Sequence, residues 1–266
     1  MKYALCGQDR IEASRGARGV CPCCGAEMIA KCGEIKVKHW AHKGIRSCDA
    51  WWENETEWHR SWKNRFLEDF QEIVHYSGCG EKHIADVKTP HGWVIEFQHS
   101  YLNPDERRSR NEFYEKLCWL VDGRRRKRDW EQFRDVVKKA HSPPGDTPLK
   151  LITFSDSCRI LNEWRNATSV VLFDFHEMDD SDGTLWMLIP GSCEELSVVI
   201  PVSSSQFVSF HTLGEFDGLV KNFIRPVFER ISHILAEFNK QKQKKSSSSS
   251  VGSLGYYSRA RSRRRL

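Results

Sequence analysis

With 266 residues, 39% of them hydrophobic and with ten Trp and fourteen Phe among them, the chain can fill one sizeable core plus a small accessory module, which excludes global disorder. The net charge of +5 does not by itself mark a nucleic-acid face. Nine of the 41 Lys and Arg residues lie between Lys240 and Leu266, leaving 32 against 36 acidic residues in the body.

No run of about 18 apolar residues is present, which argues against a membrane span. The opening MKYALCGQDRIEAS lacks the apolar stretch and cleavage pattern of a secretory signal. A cytoplasmic location is expected. Ten cysteines in a reducing compartment then call for an explanation other than disulfides.

Six of those cysteines fall within the first 48 residues, so residues 1–50 read as a small metal-stapled unit. Cys21 and Cys24 form a C-x2-C pair on a turn closed by Gly25, and His39 and His42 form an H-x2-H pair downstream. Two thiolates and two imidazoles make a closed tetrahedral site for structural zinc. Cys48 can displace one of the histidines, and Cys23 can replace a neighbouring thiolate. The scattered Cys79, Cys118, Cys158 and Cys193 read as buried thiols.

Residues 51–238 read as one α/β domain. The stretch 53–74 has the pattern of a helix, with Trp58, Trp62, Phe66 and Phe70 on a buried stripe. Glu55, His59 and Lys63 also recur at i+4, a polar row bordering that stripe.

The next segment, HIADVKTPHGWVIEFQ, carries two apolar-rich runs around Pro90-His91-Gly92, a three-residue hairpin loop with Gly92 in the left-handed position. Pairing Thr89 with Trp93 places Asp86 opposite Glu96, and Gln98 on the same face. Two such carboxylates about 5 Å apart repel by roughly 3 kcal/mol at an effective dielectric near 20. A cation between them relieves this, and Mg²⁺ or Mn²⁺ is the hard ion that carboxylates select. The competing explanation is a surface ion pair with Lys88.

After the hairpin, Asn103 caps a helix opening with Pro104, with Arg107, Arg110 and Tyr114 on one face and Phe113, Leu117 and Leu120 on the other. The arginine row is placed to meet phosphates, and Lys63, Arg107, Arg110 and Tyr114 are the residues expected to bind nucleic acid. A charged helix carrying Arg124–Arg128 follows, ending at SPPGDTP. The strands LKLITF, SVVLFDF, LWMLIP and LSVVIPV come next, then a last amphipathic helix to residue 238. Residues 239–266 are basic, Ser-rich and low in complexity, the composition of a disordered tail.

Taken in order, CPxC, HWAH, E-T-x-x-H-x3-K, A-D-V, I-E-F-Q-x-S and R-x3-Y resemble the competence protein CoiA-like nuclease family, most closely over residues 20–122. That family is similar to PD-(D/E)XK phosphodiesterases, whose core is a mixed central sheet flanked by helices. The resemblance implies a metal-dependent DNA nuclease in DNA processing, uptake, recombination or defence, with single-stranded DNA among the substrates. It makes Asp86 and Glu96 the Mg²⁺ or Mn²⁺ carboxylates, and Glu55 and His59 helpers of the metal shell or of catalysis. Gln98 stands where the superfamily usually has Lys. Gln98, with Lys63, would orient the attacking water, and Arg107 or Arg110 would hold a flanking phosphate. A non-enzymatic rival keeps the zinc module and fold as a DNA-binding adaptor. A third reading, an RNA-directed zinc protein, would use Trp51 and Trp52 to stack bases.

Overall fold

A computed structural model describes residues 1–44, 48–51, 53–78, 80–143, 148–153, 157–176, 182–191 and 196–251. Trp52, Cys79, Cys193 and the tail beyond residue 251 lie outside the described residues. Among the described residues no helix is long and apolar enough to cross a membrane. The fold is mixed α/β, built on two sheets.

The first sheet is antiparallel and belongs to the N-terminal unit: β1 (Tyr3–Cys6), β2 (Asp9–Glu12), β3 (Arg18–Val20), β4 (Glu27–Lys31) and β5 (His39–His42), in the order β2-β1-β3-β4-β5. Trp40 is its keystone. It is almost fully buried with Met1, Ala4, Cys21 and Met28, and its indole N–H donates to the Ile11 carbonyl at 2.9 Å. So small a core rarely holds a fold without a staple.

The second sheet has eight strands in the order β10-β13-β12-β11-β9-β8-β7-β6. These are β6 (Gln71–Tyr76), β7 (Lys82–Lys88), β8 (Val94–Gln98), β9 (Leu117–Asp122), β10 (Lys150–Thr153), β11 (Val170–Asp174), β12 (Thr184–Leu188) and β13 (Leu196–Ser203). Strands β8, β9 and β11 run parallel; the other pairings are antiparallel. Each residue of β8, β9 and β11 is buried, because central parallel strands are covered on both faces and read as unbroken apolar runs.

Helix α1 (Glu57–Lys63) brings Trp58 and Trp62, with Phe66 just beyond it, into one core cluster with Ile95, Phe97 and Phe207. Helices α3 (Asp129–Lys138) and α4 (Arg159–Trp164) pack Phe133, Ile160, Leu161 and Trp164 into the other, with Trp119 and Phe173. Helix α2 (Pro104–Phe113) is the crossover between parallel β8 and β9, the kind of connection such a pair requires. The C-terminal part adds α5 (Ser204–Thr212), α6 (Phe216–Leu219) and α7 (Arg225–Val251), the last continuing past the expected end at 238.

Two expected helices are shorter than their periodicity suggests. The first stops at Lys63, and QEIVHY becomes β6, pairing with β7. The second stops at Phe113, and LCWLVD becomes β9. Leu117 and Leu120 therefore reach different core clusters, since residues three apart in a strand point to opposite faces. Cys118 and Cys158 are fully buried, as expected of them.

Candidate functional site

Two sites lie close together, one of sulfur and imidazole and the other of carboxylates. In the first, the Cys21–Cys24 turn is closed by Gly25 N–H donating to the Cys21 carbonyl at 2.8 Å, and Gly25 adopts φ 72°. Cys21, Cys24, His42 and Cys48 bring their ligand atoms within 4.8 Å of one another, and are the one such group of three or more among the described residues. The Cys21 and Cys48 sulfurs are 3.8 Å apart, and His42 Nε2 lies 3.4 Å from both Cys24 and Cys48 sulfurs. Four ligands around zinc at ~2.3 Å for sulfur have a tetrahedral edge of about 3.8 Å. The donor set fits zinc in a closed, structural role. Burial and the neighbouring Cys21 push the Cys48 thiol well up, so metal binding there must displace a reluctant proton.

His39 lies outside this cluster, and Cys48 stands in the place expected for it. HWAH is a strand, not a loop or helix turn. His39 and His42, three apart, leave it on opposite faces, and His39 Nδ1 instead meets the Val37 carbonyl at 2.8 Å. Cys48→Ser is accordingly expected to lower zinc stoichiometry or affinity by tenfold or more, whereas His39→Ala leaves both near wild type. Metal content after dialysis against a competing chelator checks this, and the reverse order would refute the assignment.

The second site is built on the hairpin. Its ladder pairs Val87 with Ile95 and Lys88 with Val94, the Thr89 N–H donates to the Trp93 carbonyl at 2.8 Å, and Gly92 sits at φ 83°. This register brings Asp86 beside Glu96. Asp86 accepts the Phe97 backbone N–H at 3.0 Å. On its other side β6 pairs Gln71 with Val87 and Ile73 with Ala85, so Glu72 falls opposite Asp86. Glu72 is buried and has φ 48°, a strained conformation for a residue with a side chain. It uses that bend to accept the backbone N–H groups of Lys2 and Tyr3 at 2.6 and 2.9 Å. The N-terminal sheet is thereby fastened to the edge of the core sheet.

Lys63, from the last turn of α1, is the cation of this cluster. Its ammonium is 2.9 Å from Glu72, 3.0 Å from Asp86 and 3.6 Å from Glu55, and it is buried. Glu55 precedes the Thr56 cap of α1 and is gripped by Arg60 at 2.8 and 3.0 Å. Although burial opposes ionisation, Lys63 and Arg60 hold the Glu55 carboxyl well below the usual range. His59 points inward: its Nε2 meets the Phe97 carbonyl at 2.7 Å and its Nδ1 meets the Thr56 hydroxyl at 3.0 Å. It ties α1 to β8.

Glu96 is the unusual member. One oxygen takes Arg110 Nη1 at 3.2 Å; the other, Oε1, is buried with no hydrogen-bond partner among the described residues. Burial, then the neighbouring Asp86, push its carboxyl up to about 8. Gln98 is held by its amide nitrogen, which donates to Glu53 at 3.0 Å and to the Ser100 carbonyl at 3.2 Å. A cavity of about 60 Å³ lies among Glu55, His59, Lys63, Asp86, Glu96 and Arg110, and Gln98 stands outside its lining. With Glu96 largely protonated near neutral pH by its upward shift, five other carboxylates (Asp49, Glu53, Glu55, Glu72 and Asp86) line the cavity, against Lys63, Arg110 and the Met1 amine. The balance is negative, and it favours a cation.

Three residues expected to bind nucleic acid face inward instead. Lys63 and Arg110 are internal counter-ions of the carboxylates, and Tyr114 is buried beneath Glu96 with its hydroxyl unpartnered among the described residues. Arg110 also donates to Glu106 and to the Trp51 carbonyl, at 2.5 and 2.6 Å. In this negative interior a cationic side chain finds partners that outcompete solvent. Arg107 alone of the expected row borders an open cavity. The Arg124–Arg128 run is partly internal too: Arg125 and Arg126 both pair with Glu163.

Glu53 and Glu72 were not foreseen. Glu72 was hidden inside a supposed helix, although the β-branched pair Ile73-Val74 and the Gly-rich turn before Lys82 mark a hairpin. Nothing in the sequence marks Glu53. The two sites are joined through the chain: Cys48 is followed by Asp49, which accepts the Ile84 N–H at 3.0 Å and pairs with His83 at 2.9 Å. Trp51 stacks on His83 with centroids 3.3 Å apart, and Glu53 and Glu55 complete the segment.

Residues 6–50 match the family model described as Competence protein CoiA, N-terminal domain. That span contains Cys21, Cys24, His42 and Cys48, and it is over these residues that the chain is similar to that domain. No curated protein and no solved structure matches it.

Proposed function

We propose that this CoiA-like chain is a metal-dependent phosphodiesterase acting on DNA in a competence-related process, with a PD-(D/E)XK type of core and a structural zinc in its N-terminal unit. The observation that carries the reading is that Asp86 and Glu96, one step beyond the Val87–Ile95 pair, line one buried, negatively charged cavity, where Glu96 Oε1 has no partner among the described residues. The strand order and the helical crossover between β8 and β9 agree with it, since the family resembled has a mixed sheet flanked by helices.

Mg²⁺ or Mn²⁺ fits oxygen donors of this kind, and when bound it would polarise a scissile phosphate and acidify a water. Asp86 and Glu96 would hold the ion in place. Gln98, with its amide nitrogen committed to Glu53 and Ser100, would have its carbonyl oxygen to accept from a water at the edge of the cavity. Lys63 brings the positive charge that Gln98 lacks, from α1 rather than from β8. Manganese-dependent cleavage of single-stranded or plasmid DNA is expected, reduced roughly a hundredfold or more in Glu96→Ala with zinc content unchanged. Cleavage that survives in the variant would refute this site.

One observation favours the adaptor reading. Asp86 already has Lys63 at 3.0 Å and Glu96 already has Arg110 at 3.2 Å, a compensated cluster that needs no further ion. Zinc-loaded protein that binds DNA, yet neither takes up Mn²⁺ nor cuts, would be that adaptor.

A further inference from the structure

A second cavity, of about 350 Å³, opens beside the carboxylate site between the start of α2, the loop after β9, and α4. Its size is within the range of small-ligand clefts, about 300 to 1,000 Å³. Three guanidinium groups line it, Arg107, Arg125 and Arg159, against the single carboxylate of Glu163. That carboxylate is already shared: it takes Arg125 Nη2, Arg126 Nη1 at 2.6 Å and Arg159 Nε at 3.1 Å. Arg125 is almost wholly buried, yet its Nε has no partner among the described residues. Arg107 lies over the Trp164 ring, 5.1 Å from its centroid, so its guanidinium is fixed in place. Burial depresses the pKa of both Arg107 and Arg125, as it does for cations whose counter-charge is incomplete.

On the rim stands Tyr101, 61% exposed. The cavity adjoins the carboxylate site through one residue: the Ser100 carbonyl accepts both the Gln98 amide, at 3.2 Å, and Arg125 Nη1. We propose that this cavity docks the sugar–phosphate backbone of an unpaired nucleic-acid strand, with Tyr101 stacking on one of its bases. Rigid guanidinium forks match phosphate oxygens, and a solvent-facing ring can stack only on a base that is free of its duplex neighbours. The inference rests on the hydrolytic reading for the direction in which the strand continues, toward Gln98, but the docking itself requires no cleavage.

The test is fluorescence anisotropy with the zinc-loaded full chain and no added magnesium or manganese. The probes are a labelled oligothymidine of about twelve nucleotides and its duplex with oligodeoxyadenosine. Tyr101→Ala is expected to weaken the unpaired strand about fivefold or more while leaving duplex affinity unchanged. Arg159→Ala should weaken both and reduce the salt slope by about one. Lys138→Ala, outside the cavity, should do neither. Both test side chains are exposed, so folding is retained, and circular dichroism checks it. The basic C-terminal residues contribute alike in wild type and variants, so they drop out of the ratios. Unchanged affinities in both variants, or a Tyr101→Ala loss equal for strand and duplex, overturn the proposal. Docking that is followed by no cleavage once manganese is supplied would refute the hydrolytic reading and leave this one standing; manganese-dependent cleavage indifferent to both substitutions does the reverse.

Discussion

Lys63→Met is expected to cost the fold about 3–5 kcal/mol near neutral pH, the range for removing one partner from a buried ionic cluster. The ammonium touches Glu72 and Asp86 and lies near Glu55, with all three carboxylates wholly or largely shielded from water. Methionine fills similar volume, so the loss reports charge rather than a cavity. Two controls separate this from simple misfolding. Lowering the pH should shrink the difference between variant and wild type, because protonated carboxyls no longer need the ammonium. The sign in the wild type follows from the same contacts: Lys63 holds Glu55 and Glu72 below their ordinary range against the opposing effect of burial. Their contribution is therefore present above about pH 4.5 and is lost as pH falls through the depressed values. Adding Glu72→Gln to Lys63→Met should recover part of the loss, a non-additivity expected of direct neighbours. Urea denaturation at several pH values measures all of this. A loss under about 1 kcal/mol that ignores pH would show that Lys63 is not the cluster's counter-ion.

The parts of the site legible in the sequence are those governed by local geometry. Pro90-His91-Gly92 permits one tight loop, and that loop determines which residues of β7 and β8 face each other; Asp86 and Glu96 follow from counting. The Cys21–Cys24 turn is local in the same way. What was not legible depended on period or on distant partners. His39 and His42 look equivalent as a spaced pair, and only the strand conformation of β5 divides them. QEIVHY continued an amphipathic pattern well enough to hide a strand, since short apolar runs fit either period, and Glu72 was hidden with it. Arg110 and Tyr114 read in sequence as one helix face, although the helix ends at Phe113 and Tyr114 stands just past it in extended conformation. Whether that face met water or the buried Glu96 depended on where the N-terminal unit folds back, through Asp49, Trp51 and Glu53, a long-range arrangement that no spacing reveals. The buried aromatic stripe of α1 was legible, but not its polar purpose: the indole N–H groups of Trp58 and Trp62 both donate to Asp174, at 2.8 and 2.7 Å.

Glu96→Gln should separate stability from chemistry at this site. In the folded protein the Glu96 carboxyl is pushed up to about 8 by burial and then by Asp86, whereas unfolded it titrates near 4.3. The native state therefore binds a proton that the unfolded state releases between those values. This contribution to stability is fully present below about pH 4.3 and is lost as pH rises through about 8. An isosteric neutral amide removes that slope. At pH 8.5 the variant should be more stable than wild type by several kcal/mol, roughly 3 or more, with the advantage shrinking toward pH 5 and vanishing below about pH 4.3. Mn²⁺ should close the gap from the other side, stabilising wild type and not the variant, because a cation bound only by the folded state adds its binding free energy to stability. Cleavage should meanwhile be lost in Glu96→Gln. A residue that weakens its own fold while remaining ionisable is best explained by a ligand that needs the charge. If Glu96→Gln destabilises the protein at pH 8.5, the carboxylate is a structural partner of Arg110, and the compensated-cluster reading gains what the hydrolytic one loses.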